Sequence, residues 1–215
     1  MISKILDIPY NTQVDNTVSY FGESHIQLDA GSQCGLVMAA HVNFPITGDI
    51  SDEWVQAYAE RLDMPGSDLH EAVKKEIPWF WLDKNGKARQ NVRLSSAINS
   101  HAIATRIIGQ TVNSNLKVKL CQVASIDEVI QAIDNGSPVG IFTKLTPSGH
   151  FITIIGYEND DNGTVTFICH DGYGNFYPGW NPESLGKGGY VKYPAAWLIT
   201  KTGGNNLSWL YYWII

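Results

Sequence analysis

From Pro138 onward the chain alternates short apolar runs with tight-turn signatures, and this alternation restricts its second half to an antiparallel meander. PVGIFTKL leads through the turn TPSG into HFITIIGYEN, and Asp161, Asn162 and Gly163 turn the chain again into TVTFICHD. YVKYPAAWLI and LSWLYYWII, each entered from a Gly- or Asn-rich loop, predict two further strands. Before Pro138 the period is helical instead. SDEWVQAYAERL and LSSAINSHAIATRIIG place apolar residues at helical spacing, so Ser51 to about Ile108 reads as helical, with a turn at Lys84-Asn85-Gly86. SIDEVIQAIDNG predicts a helix with a capping box of Ser125 and Glu128, closed by Asn135-Gly136. The first 30 residues predict a strand at Ile5 to Tyr10 and then a long irregular connection. Helices first and strands afterwards define an α+β protein.

The 215 residues, 44% of them hydrophobic, suffice for one packed domain, and no internal repeat divides them. Fifteen basic against 21 acidic residues leave a net charge of −6, which argues against a nucleic-acid or anionic-membrane surface. The apolar stretches fall short of the ~20 residues of a membrane span. The N-terminal MISKILDIPYNTQ has no run resembling a signal peptide, so synthesis and folding in a cytoplasm are expected. Three scattered cysteines, Cys34, Cys121 and Cys169, form neither a disulfide framework nor a CxxC pair.

Cys34 opens CGLVMAAHVNF, an apolar run that predicts a buried helix starting at or just after the cysteine. A helix N-terminus favours the thiolate through its unsatisfied N–H groups and partial positive charge. Gly35 would let a substrate approach the backbone, and the Cys34 N–H is a candidate oxyanion donor. A small buried core cysteine is the plainer meaning of the same residues.

His150 begins an apolar strand directly after the TPSG turn, where a ring can face a cleft and serve as a base. His25, His41, His70 and His101 lack such a setting, and His170 is its competitor. Asp171, in HDGYG, follows a strand end and is placed to accept an imidazole N–H, although Asp-Gly more commonly makes a turn. Cys121 and Cys169 read as core residues. Cysteine first, histidine well downstream and a carboxylate after it is the order a papain-like scaffold requires.

Taken together, IPYNTQVDN, SQCGLVMAA, SPVGIFTKLTPSGHFITIIGY, HDGYGNF, GKGGYVKY and SWLYYW resemble, in this order, the C39-like peptidases, a branch of the papain-like cysteine peptidases of bacteria and phages. The resemblance spans most of the chain. It implies a papain-like fold in one domain over residues 1–215, with the nucleophile at a helix N-terminus packed on an antiparallel sheet. It also implies Cys34 as nucleophile, His150 as base and Asp171 as orienter of the histidine. Gln13 is implied as the oxyanion-binding amide. The short glutamine-to-cysteine spacing of papain is not kept, and Gln27 and Gln33 lie closer to Cys34, so all three glutamines stay candidates.

The function expected is amide hydrolysis through a cysteine thioester, with no metal or organic cofactor. The expected partner is a peptide or peptidoglycan substrate, with neither nucleic acid nor membrane. Bacteriocin-exporting relatives join this peptidase to transporter membrane domains not found here, which favours a phage-type lysin that reaches the wall through a separate pore-forming protein. Transfer to an amine is an alternative. So is a non-catalytic peptide-binding module, using Trp79-Phe80-Trp81 and the aromatics of Tyr173 to Trp180 as its contact surface.

Overall fold

The computed structural model describes residues 2–14, 33–87, 89 and 93–215. After strand β1 (Ile2–Ile5) come helices α1 (Cys34–Thr47), α2 (Asp52–Asp63), α3 (Asp68–Glu76), the short α4 (Pro78–Trp81) and α5 (Ile98–Val112). The chain then passes through β2 (Lys117–Ala124), α6 (Ile126–Asp134), β3 (Val139–Thr143), β4 (His150–Asn159) and β5 (Val165–His170). It ends with β6 (Val191–Pro194), α7 (Ala195–Thr200) and β7 (Leu207–Ile214). The seven strands form one sheet in the order β2-β7-β3-β4-β5-β6, with β1 paired to the far end of β4. Every pairing is antiparallel. The chain is thus α+β, with its helices mostly before its strands. Among the described residues no helix is long and apolar enough to cross a membrane.

Helix α1 is the hub. Gly35 through Asn43 are all buried, so the helix is covered on every side and behaves as a core helix. One side packs on α2 and α5 through Leu36, Val37 and Ala40. Another packs on the sheet through Met38 and Val42, against Phe151, Tyr211 and Trp213. Each of the Leu, Val and Met side chains, fully buried, contributes about 1.5–3 kcal/mol. The helix approaches β3 closely because Gly140 has no side chain: a Cβ there would lie 2.9 Å from Met38 Sδ and 3.1 Å from Val42 Cγ2. Two polar ties fix its rotation. Asn43 Nδ2 donates to Thr105 Oγ1 of α5 at 3.0 Å, and Trp213 Nε1 of β7 donates to the Val42 carbonyl at 2.9 Å.

Four local expectations need correction. The first strand lies at Ile2–Ile5, where β1 pairs with β4; the Leu6 N–H still donates to the Ile155 carbonyl of β4 at 2.9 Å, and residues 7–10 lie outside the strand. YVKYPAAWLI is a strand only to Pro194; Ala195 and Leu198, three residues apart, bury one side of helix α7. Ser125 does cap α6 by accepting from the Glu128 N–H at 3.1 Å. Glu128, however, does not return the bond, because its carboxylate is taken by Lys119 at 2.6 Å and Tyr212 at 2.8 Å. Gly35 serves packing rather than substrate approach: a Cβ would meet His101 Nε2 at 2.5 Å and the Ser95 carbonyl at 2.9 Å.

Candidate active site

Cys34 is the first residue of α1 and is half-buried. No acidic residue occupies the first turn of that helix, so nothing there offsets the positive end of its dipole. The β3–β4 hairpin delivers His150. Its turn is closed by the Gly149 N–H on the Thr146 carbonyl at 3.0 Å. Gly149 sits at φ +88°, and a Cβ there would lie 2.3 Å from the Phe142 ring, so glycine is required immediately before the histidine. Pairing of Thr153 with His170 then brings Asp171, one residue past β5, to the His150 end of β4.

His150 and Asp171 are both buried, and His150 Nε2 donates to Asp171 Oδ1 at 2.7 Å. That bond leaves Nδ1 for the thiol of Cys34, and the two side chains interact. Burial works against a Cys34 thiolate and against an imidazolium, yet both are favoured on balance. The Cys34 pKa is lowered because the hydrogen bond and charge of His150, together with the Phe151 N–H, outweigh burial and the opposing charge of Asp171. The His150 pKa is raised to about 10 because the Asp171 charge and hydrogen bond, reinforced by Cys34, outweigh its burial. Both shifts move the pair toward thiolate and imidazolium.

Asp171 is held on every side. Its Oδ1 also accepts the Tyr173 N–H at 3.0 Å and the Gly174 N–H at 3.3 Å, and its Oδ2 accepts the Tyr193 hydroxyl at 2.9 Å. Its carbonyl accepts the Tyr10 hydroxyl at 3.0 Å, and Tyr10 in turn accepts the Gly188 N–H at 3.0 Å. Tyr173 and Phe176 face the His150 ring with centroids 6.3 and 5.5 Å away, and Trp180 stacks on both. These aromatics shield the His150–Asp171 bond from water, which strengthens it. Sequence reading gave Tyr173 to Trp180 as a contact surface for a bound peptide, not as cover for His150, and it assigned neither Tyr10 nor Tyr193 to this site.

Gln13 is buried, and its N–H donates to the Gly172 carbonyl at 2.9 Å. The site of a Cβ on Gly172 is 3.3 Å from both Gln13 Oε1 and Val37 Cγ1, so the Gln13 amide lies between the Asp171 turn and the first turn of α1. Gln33 is the N-cap of α1 and is also buried, while Gln27 lies outside the described residues, as does His25.

The remaining candidates are committed elsewhere. His170 Nε2 donates to the Ile8 carbonyl at 2.8 Å, and its Nδ1 accepts the Tyr190 N–H at 3.3 Å. His41 Nε2 accepts the Asn11 N–H at 3.2 Å, and His101 bonds Tyr58 at 2.9 Å and the Ser95 carbonyl at 2.9 Å. His70 bonds the Leu62 carbonyl at 2.8 Å. Cys169 is fully buried and its pKa is pushed up by burial, and Cys121 is raised to about 11 by burial and Glu128. Among the described residues no group of His, Cys, Asp or Glu is placed to hold a metal ion.

A thiol on a helix N-terminus thus faces an imidazole and a carboxylate carried by an antiparallel sheet. The chain belongs to the Peptidase_C39 like family, whose model matches residues 6–202. Among solved structures, the chain is similar to a protein from Bacillus anthracis described as a candidate C39-like peptidase, at 12% identity and a TM-score of 0.49, covering 100% of this chain and 98% of that one. It is also similar to the proform of Amb a 11, a ragweed pollen cysteine protease, at 13% identity and a TM-score of 0.44, covering 98% of this chain and 68% of that one. No curated protein matches.

Proposed function

We propose that the protein is a cysteine peptidase that hydrolyses amide bonds through a thioester on Cys34. The observation that carries this reading is the line Cys34, His150, Asp171, in which the carboxylate bond fixes Nε2 and turns Nδ1 to the thiol. The Cys34 thiolate attacks the carbonyl carbon, and the Cys34 N–H and the Gln13 side-chain amide stabilise the oxyanion. His150 Nδ1–H then protonates the departing amine, leaving an acyl-thioester and a neutral imidazole. Water, deprotonated by the same nitrogen, attacks the thioester, and collapse of that second intermediate releases the acid and restores the ion pair. Asp171 keeps its negative charge throughout and stabilises the imidazolium.

The test is acid quenching of the protein during turnover of a peptide mixture, followed by mass mapping of Cys34. An acyl adduct on Cys34, and loss of cleavage in Cys34→Ala, are expected. Cleavage retained in Cys34→Ala would end the proposal. Dye release from labelled cell walls, run in parallel, tests the wall-lytic role that we propose as one use of this chemistry.

A further inference from the structure

Two histidines that the mechanism leaves unused lie ring to ring behind the site. His41 of α1 and His170 at the end of β5 are buried, with ring centroids 4.9 Å apart, and the Tyr10 ring packs on them at 6.2 and 5.3 Å. Their hydrogen bonds suit only neutral rings. His41 Nε2 accepts the Asn11 N–H at 3.2 Å, which leaves its proton on Nδ1, 3.4 Å from Thr153 Oγ1. His170 Nδ1 accepts the Tyr190 N–H at 3.3 Å, while its Nε2–H donates to the Ile8 carbonyl at 2.8 Å. An imidazolium has no acceptor, so a second proton on either ring would set an N–H against a backbone N–H. It would also bury a cation beside the other ring.

These bonds seat the segment 8–13, which ends in the proposed oxyanion amide. Within it the Tyr10 hydroxyl donates to the Asp171 carbonyl at 3.0 Å, and the Thr12 hydroxyl and the Gln13 N–H both donate to the Gly172 carbonyl at 2.9 Å. The Cys34–His150 pair depends on other ties. The Asp171 carboxylate that orients His150 is held by Tyr173, Gly174 and Tyr193, none of which belongs to the segment.

The surroundings offer a proton on either ring no partner. The titratable groups against the two rings are the phenols of Tyr10, from the segment, and Tyr190, from the turn before β6, while β4 presents the neutral Thr153. Asp171 follows His170 in the chain but turns its carboxylate to His150, and Asp52 of α2 bonds the Asn11 side chain at 3.1 Å. Burial lowers both histidine pKa values; the charge of His170 lowers His41 further, and the Ile8 carbonyl only partly offsets burial at His170. Both rings are therefore neutral at pH 7, whereas in a released segment they would titrate near the ordinary value of about 6.5. Seating is fully favoured above that value and weakens as pH falls below it, by up to about tenfold per pH unit for each histidine.

We propose that His41 and His170 are positioning residues for the oxyanion amide: while both rings are neutral they hold segment 8–13 and Gln13 in place, and protonation releases the segment while the Cys34–His150 pair stays assembled. The link to catalysis rests on the peptidase reading, but release of the segment is measurable without turnover. Acid then disables oxyanion binding before it disables the thiolate.

The test is hydrogen exchange of the full chain at pH 7.5 and 5.0, read by mass spectrometry and corrected for the intrinsic pH dependence of exchange. Residues 8–13 are expected to lose at least about tenfold in protection at pH 5.0, with β4 and α1 unchanged. In the protein carrying both His41→Gln and His170→Gln, whose amides can bond but do not titrate, the loss is expected to shrink to within about threefold. Over the same pH range, kcat on a fluorogenic peptide library is expected to fall at least about fivefold more than the rate of Cys34 alkylation by iodoacetamide. Protection kept at pH 5.0, lost equally in β4, or lost as much in the double variant, would overturn the proposal. If the segment is released as expected and the protein cleaves no peptide at any pH, the histidine device stands and the peptidase reading falls. If cleavage and alkylation decline together while protection is kept, the peptidase reading stands and the device falls.

Discussion

Tyr193 donates its hydroxyl to Oδ2 of Asp171 at 2.9 Å, while the other oxygen of that carboxylate receives His150 Nε2 at 2.7 Å. The tyrosine therefore sets the rotation of the carboxylate that sets the rotation of the imidazole. It also accepts the Phe176 N–H at 3.1 Å, which joins the same phenol to the aromatic cover over His150.

Tyr193→Phe keeps the ring and removes both bonds. A buried carboxylate oxygen and a buried N–H lose their partner, at a cost of about 1–3 kcal/mol each. Denaturant unfolding should show a loss of that order, and kcat should fall while KM changes little. An unchanged kcat would mean that Tyr173 and Gly174 hold Asp171 without help.

Asp171→Asn keeps an oxygen that can accept the imidazole N–H but removes the charge that raises the His150 pKa. The imidazolium is then stabilised less, so the basic limb of the pH–rate profile should move to lower pH. The rate at neutral pH should fall by about 10²–10⁴, the span of general acid–base catalysis. Steady-state kinetics across pH measure both.

Gln13→Ala removes the proposed side-chain donor to the oxyanion, and kcat should drop about 10²–10³-fold. Cys34 should still be alkylated at nearly the original rate, because the thiolate does not need that donor. Equal loss in Gln33→Ala and none in Gln13→Ala would transfer the role to the helix N-cap.

Gly35→Ala forces a methyl group against His101 and the Ser95 carbonyl. Overpacking of this kind costs about 1–3 kcal/mol, so the variant should unfold at lower denaturant concentration. A variant as stable as the original would show that α1 can shift without penalty.

The meander and the helix at Cys34 were legible because their signals are local: a change from helical to strand period, turn residues at fixed offsets, and an apolar run opening at Cys34. The papain-like order of Cys34, His150 and Asp171 was legible for the same reason. What escaped the sequence depends on pairing between distant segments. Tyr193 reaches Asp171 because β6 lies beside β5, with Phe167 opposite Tyr193. Glu128 abandoned its capping role because β2 and β7 bring Lys119 and Tyr212 to it. Ala195 to Leu198 looked like a continuing strand because a short unbroken apolar run fits a buried strand and a buried helix alike. Trp79 and Trp209, 130 residues apart in sequence, line one apolar pocket with Phe142 and Phe151, and only the folded structure joins them.

The activated pair itself is tested most directly by the pH dependence of Cys34 alkylation with iodoacetamide, mapped to Cys34 by mass spectrometry, in the unmodified protein and in His150→Ala. The imidazolium favours the thiolate, so Cys34 should react rapidly below the ordinary thiol pKa of about 8.5, down to its own lowered pKa. His150→Ala should move that limb up to or beyond the ordinary value, since burial then acts without its counterweight. An inert Cys34, or a profile identical in the two proteins, would contradict the account.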